Sequence, residues 1–89
     1  MKVLIIDDER SIRNTLKDIL EFEGHEISLA ADGKEGLELA AANNFDVIFC
    51  DIKMPGMDGV EVLEKMNENG VESSIVMISG HGTIAVSYT

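Results

Sequence analysis

The stretch VIFCDIKMPGMDG, Val47–Gly59, runs four apolar residues into a lone carboxylate and then into a loop bearing one proline and two glycines. An unbroken apolar run of this length marks a strand covered on both faces. Asp51 then stands at its rim. The same signature occurs twice more. Val3-Leu4-Ile5-Ile6 ends in Asp7-Asp8-Glu9, and Ile75-Val76-Met77-Ile78 closes on Ser79-Gly80.

Between these runs the period changes. Ile12, Leu16, Ile19 and Leu20 recur at helical spacing, with Gly24 placed to stop the helix. Ile27 and Leu29 alternate with polar neighbours as a strand does. Asp32-Gly33 turns the chain, Asp32 is positioned as an N-cap, and Leu37, Ala40 and Ala41 form the inner side of a second helix. Asp58 is positioned to cap a third helix whose inner face is expected to hold Val60, Leu63 and Met66, and Asn69-Gly70 turns into the last apolar run. Strand and helix alternate throughout, which predicts a parallel sheet with helices on both faces.

Size and charge narrow the function classes. The chain has 89 residues, enough for one domain, and its 17 acidic against 7 basic residues give a net charge of -10. That balance repels nucleic acid phosphates and anionic membrane surfaces and favours a cation or a basic partner face. Cys50 is the one cysteine, so no intrachain disulfide can form, and a reducing cytoplasm is the expected compartment. The apolar Val3–Ile6 run is too short for a signal peptide or a membrane span.

In open parallel sheets ligands bind beyond the carboxyl ends of the strands. Asp7 and Asp8, Asp51, and Ser79 are all delivered to that rim. Carboxylates crowded there repel by roughly 4 kcal/mol per pair at about 4 Å and intermediate dielectric, so the site calls for a cation. Oxygen donors without histidine or thiolate favour a hard divalent ion, and magnesium suits a site that also meets phosphate. An aspartate beside that ion can act as nucleophile on phosphorus, giving an aspartyl phosphate. Ser79 would supply a hydroxyl and the amides around Gly80 further donors to the phosphoryl oxygens, while Pro55 stiffens the Asp51 loop.

VLIIDDE, DIKMPGMDG and VMISGHGT, in this order and spacing, resemble the receiver domain of bacterial two-component response regulators, over Met1 to about Thr83. The resemblance implies a flavodoxin-like doubly wound parallel sheet. It implies Asp51 as phosphoacceptor, Asp7 and Asp8 as magnesium ligands, the Lys53 carbonyl as a further ligand and Ser79 as the switch hydroxyl. The donor would be a phosphohistidine on a sensor histidine kinase or a phosphotransfer protein, a role that neither His25 nor His81 fits. SGHGT further resembles receivers of the nitrogen-regulatory type, which precede an ATPase and a DNA-binding domain, so control of transcription is the implied output.

Against that pattern the chain is expected to be an incomplete receiver, lacking the family's fifth strand, its lysine and its fifth helix. Weak or absent phosphorylation follows from the missing lysine. The first helix and the sheet beneath it are expected to be partly bare, and Ile75–Ile78 to form an apolar edge, so a dimer or higher oligomer is predicted. In the tail, Ile84, Val86 and Tyr88 alternate as in a strand, either as a hairpin or paired with a second molecule; one turn of a fourth helix capped by Thr83 is the alternative.

Plainer readings exist for each residue. Asp7-Asp8 alone is also a helix N-terminal charge pair, and Ser79 alone a loop hydroxyl. Cys50 reads as a buried structural thiol, Met54 and Met57 as packing or partner contact, and Glu35, Glu38, Glu61 and Glu64 as solvated surface. Two competing functions are an inert or self-associating fragment and a magnesium-dependent aspartyl-phosphate phosphatase. The second would resemble haloacid-dehalogenase-like enzymes, whose Asp-x-Asp is absent from Asp51-Ile52-Lys53.

Overall fold

Each apolar run folds as a strand because a parallel strand flanked by helices can bury side chains on both of its faces. The computed structural model describes residues 1–78 and 85–88. In chain order these form β1 (Lys2–Ile6), α1 (Arg10–Phe22), β2 (Glu26–Ala30), α2 (Gly33–Ala42), β3 (Val47–Asp51), α3 (Gly59–Glu68), β4 (Ser74–Ile78) and β5 (Ala85–Tyr88). The sheet order is β2-β1-β3-β4-β5. The first four strands pair in parallel, with Ile5 opposite both Leu29 and Phe49, and Cys50 opposite Met77. This is the flavodoxin-like α/β arrangement that the alternation predicts.

One face of the sheet carries the core. Leu4, Ile6, Ile48, Cys50, Ile75 and Met77 are buried there in one cluster with Val62 and Met66 of α3, and Leu37 and Ala40 of α2 pack against it. On the opposite face Val3 and Ile5 are buried, and α1 packs against β1 and β2. Farther along that face Val47, Phe49, Val76 and Ile78 are half-buried, as are Ile12 and Leu16 of α1. The two faces are thus covered unequally, in the region where the sequence leads one to expect a partly bare helix and sheet.

Two expectations change. Val60 does not face the core: it is half exposed, while Val62 is buried beside Met66. Residues four apart share a helix side, and Val60 lies more than half a turn round from Val62. The phase is set at the N-terminus, where Asp58 caps α3 by accepting the Glu61 N–H at 2.9 Å and Gly59 lies against β3. The second change concerns the edge. The described residues include a fifth strand, antiparallel to β4, with Met77 opposite Val86, so Ile75–Ile78 is paired on both sides. Antiparallel pairing is the option open to a short connection, because a parallel neighbour needs a crossover of about a dozen residues or more. It is the hairpin alternative, in place of a helical turn.

The helix ends follow local chemistry. Asp32 caps α2 by accepting the Glu35 N–H at 2.8 Å, while Glu35 reaches back to the Ala31 N–H at 2.7 Å. Past the end of α1, Gly24 adopts φ +93°, which a side chain would disfavour. Ser79, Gly80, His81 and Thr83 lie outside the described residues, so the switch hydroxyl, its neighbouring amides and the expected cap fall there too.

Candidate functional site

Pairing of β1 with β3 brings Ile6 opposite Cys50, and each strand therefore delivers its next residue to the same rim. Asp7 and Asp8 follow β1, and Asp51 is the last residue of β3. One carboxylate oxygen from each of Asp7, Asp8 and Asp51 lies within 4.8 Å of the other two. This is the one group of metal-ligating side chains among the described residues. Asp7 is 2% and Asp51 5% exposed, while Asp8 is open to solvent.

Backbone contacts hold these carboxylates in place. Asp7 is fixed at three points: its N–H donates to the Ala30 carbonyl at 3.1 Å, its Oδ1 accepts the Glu9 N–H at 2.8 Å, and its carbonyl accepts Nη1 of Arg13 at 2.6 Å. Asp51 Oδ1 accepts the Lys53 N–H at 3.3 Å. On the far side of the Asp51 loop the Gly59 N–H donates to the Ile52 carbonyl at 2.8 Å, and the Ile52 N–H to the Ile78 carbonyl at 3.0 Å. Gly59 packs so closely that a Cβ there would collide with the Asp51 carbonyl and lie 2.8 Å from Ile52 Cα.

Electrostatically the site is under-neutralised. Burial raises the Asp7 carboxyl above the ordinary aspartate range, the charges of Asp8 and Glu9 push the same way, and the Glu9 N–H and Arg13 oppose them. Asp51 is raised first by burial and next by the charge of Asp7, with the Lys53 N–H acting against both. The neighbouring Cys50 thiol is pushed up to about 12 by burial, then by Asp51, Asp7 and Asp58. A thiol in that state is neither nucleophile nor metal ligand, in keeping with a structural role. The donor set is all oxygen, two members are withdrawn from water, and the Arg13 charge reaches the cluster through the Asp7 carbonyl and offsets only part of the negative charge, so the cluster suits a hard divalent cation.

A concavity lies at the other end of the sheet. It measures about 580 Å³, is lined by the loops that carry Phe45, Asp46 and Gly70 to Ser73, and contains no ligating cluster. Chemistry and concavity are separated here because a rim of carboxylates needs no deep pocket to hold an ion.

The sequence pattern of the response regulator receiver domain matches residues 3–88. The chain belongs to the response regulator receiver family. Response regulator MprA of Mycolicibacterium vanbaalenii is 32% identical over 85 residues, which are 96% of this chain and 37% of that protein. The receiver thus spans well under half of the curated relatives it matches. Among solved structures, chemotaxis protein CheY4 of Vibrio cholerae superposes with a TM-score of 0.85 at 36% identity, covering 92% of this chain and 70% of that one. Response regulator TrrA of Thermotoga maritima, solved in complex with Mg2+-BeF, gives 0.84 at 34% identity, over 91% and 70%. This chain is accordingly a phosphoacceptor signalling domain of the two-component type, and no described helix is long and apolar enough to cross a membrane.

Sequence reasoning brings Asp7, Asp8 and Asp51 to one rim, and the structure gathers their carboxylates there, with the Lys53 N–H on Asp51. Sequence reasoning misses Arg13, which leaves no pattern beyond its position one turn into the helix that follows the carboxylates.

Proposed function

We propose that this receiver accepts a phosphoryl group on Asp51 from the phosphohistidine of a sensor histidine kinase or phosphotransfer protein. The observation that carries the reading is the convergence of Asp7, Asp8 and Asp51 within 4.8 Å at the end of two paired strands. In the transfer an Asp51 carboxylate oxygen bonds to phosphorus as the phosphorus–nitrogen bond breaks, and the leaving imidazole takes up the electron pair. Asp7, Asp8, Asp51 and the Lys53 carbonyl would hold magnesium, which when bound neutralises the carboxylates and the phosphoryl oxygens. The Lys53 N–H steadies the Asp51 carboxylate during attack, and the buried flank of the site limits competing water. Magnesium in TrrA supports this assignment by likeness.

Ser79 and the Gly80 amide would complete the phosphoryl pocket. Cytoplasmic location and control of transcription through an output domain belong to the same reading, and the relatives named as response regulators, which extend beyond the matched region, support it. The nitrogen-regulatory subtype rests on SGHGT alone.

A magnesium titration followed by acetyl phosphate tests the proposal, with intact mass as readout. Slow or partial magnesium-dependent addition of a phosphoryl group, abolished by Asp51→Asn, is expected. Labelling that persists in that variant would remove Asp51 from the role. Self-association is a second proposal, favoured by the half-bare Val47, Phe49, Val76 and Ile78 face. Sedimentation across a concentration series should then show a dimer, and a monomer throughout would dismiss it.

A further inference from the structure

We infer that Arg13 is a positioning residue for the metal site, its guanidinium gripping the Asp7 carbonyl so that the Asp7 and Asp8 carboxylates stay where a cation needs them. The inference rests on the metal reading above and assigns a task to a side chain that the reading does not use. Three hydrogen bonds fix Asp7, and two of them come from its own surroundings in the sheet and the loop: Ala30 on the neighbouring strand and Glu9 two residues on. The third comes from α1. Arg13 is half-buried, and its Nη1 lies 2.6 Å from the Asp7 carbonyl, a short charge-assisted contact.

The contact bears on Asp8 as well as Asp7. The carbonyl that Arg13 grips belongs to the peptide joining the two aspartates, so its orientation sets the directions in which both side chains leave the backbone. Among the described residues, the other hydrogen bond tying the start of α1 to this point is that of the Glu9 N–H to Asp7 Oδ1. The N-cap residue of α1, Glu9, makes no side-chain capping bond, and no acidic residue lies in the first turn. Without Arg13 the first turn and the Asp7–Asp8 peptide would be joined through the covalent chain and the single Glu9 contact.

This role has a consequence of opposite sign to the simple electrostatic one. A positive charge near a cation site repels the cation, so removing it by charge alone should tighten magnesium binding. A lost clamp should weaken it. The two accounts therefore part on direction as well as size.

The test uses Arg13→Met, which keeps an apolar stem of similar bulk and removes every donor, with Arg13→Lys as the conservative variant. Lys17→Ala is the charge control one turn along, where the side chain makes an exposed pair with Glu21 at 3.8 Å. Magnesium affinity is measured by calorimetry on each folded chain, alongside thermal melts and exchange of the Glu9 amide proton without metal. For Arg13→Met the dissociation constant should rise about tenfold, the size expected for losing a hydrogen bond to a charged group. Faster Glu9 exchange should accompany it, Arg13→Lys should recover part of both, and Lys17→Ala should bind as well as the parent chain or better. Unchanged or tighter binding in Arg13→Met overturns the assignment, and if that chain does not fold, Arg13→Lys binding as tightly as the parent chain with unchanged Glu9 exchange does so. A parent chain that takes up no magnesium overturns the metal reading itself and this inference with it.

Discussion

Asp7 and Asp51 are the two charged side chains that the described fold withdraws almost wholly from solvent, and it sets them side by side. Each is thereby made harder to ionise, by burial first and in Asp51 next by the charge of Asp7. Without a cation the pair strains the fold that creates it.

Stability without metal should consequently fall as pH rises. A carboxyl whose folded pKa lies above its unfolded value binds protons more tightly in the folded state. Its contribution is complete below the ordinary aspartate range and is lost as pH climbs through the raised value. Asp51→Asn removes this loss. In magnesium-free buffer it should melt higher than the parent chain at neutral pH, with the gap closing in mild acid, while the exposed Asp18→Asn shows no such crossing in melts followed by circular dichroism.

Magnesium should reverse the penalty. A ligand that binds only the folded state stabilises by about 2.7 kcal/mol at a hundred times its dissociation constant. Thermal melts with added magnesium should shift upward in the parent chain and return on chelation. Asp7→Asn and Asp8→Asn should lose most of that shift, and an equal shift in all three would place the ion elsewhere.

Gly59→Ala should damage both stability and site. A Cβ there meets the Asp51 carbonyl and the Ile52 backbone, neither of which can swing aside as a side-chain tip does. Overpacking of this type costs about 1–3 kcal/mol. Chemical denaturation should show that loss, and magnesium affinity should fall with it because the displaced backbone is that of Asp51 itself.

The two valines of α3 should separate cleanly. Val62→Ala empties part of the packed cluster around Met66 and should cost about 2 kcal/mol. Val60→Ala faces solvent and should stay within about 0.5 kcal/mol of the parent chain. Urea denaturation of both variants gives the comparison.

The strands were legible because a parallel strand buried on both faces leaves a run that no other element of that length requires. The carboxylate cluster was legible by the same route, since strands running in one direction must end on one rim. Helix phase in α3 was not, because Val60, Val62 and Leu63 crowd enough apolar side chains into one turn that two rotations of the helix look alike. In the tail the alternation left a strand and a helical turn equally open; the short connection already ruled out a parallel neighbour within the chain, and pairing with the edge of β4 decides for the strand. Arg13 was silent for a different reason: a long side chain that reaches a backbone carbonyl imposes no requirement on the identity of the residue it touches.

The strand order β2-β1-β3-β4-β5 places β1 inside the sheet, between the strand that follows it and one made much later. The pairs from Val3 with Val47 to Ile6 with Cys50 span about half of the described chain, so β1 has only β2 to lean on until Val47–Cys50 has been synthesised. Such distant pairing slows folding, because loop entropy is lost before the contacts that offset it are made. β1 is therefore enclosed only after β3 has emerged, and nascent chains halted before β3 should be open to proteases along Val3–Ile6.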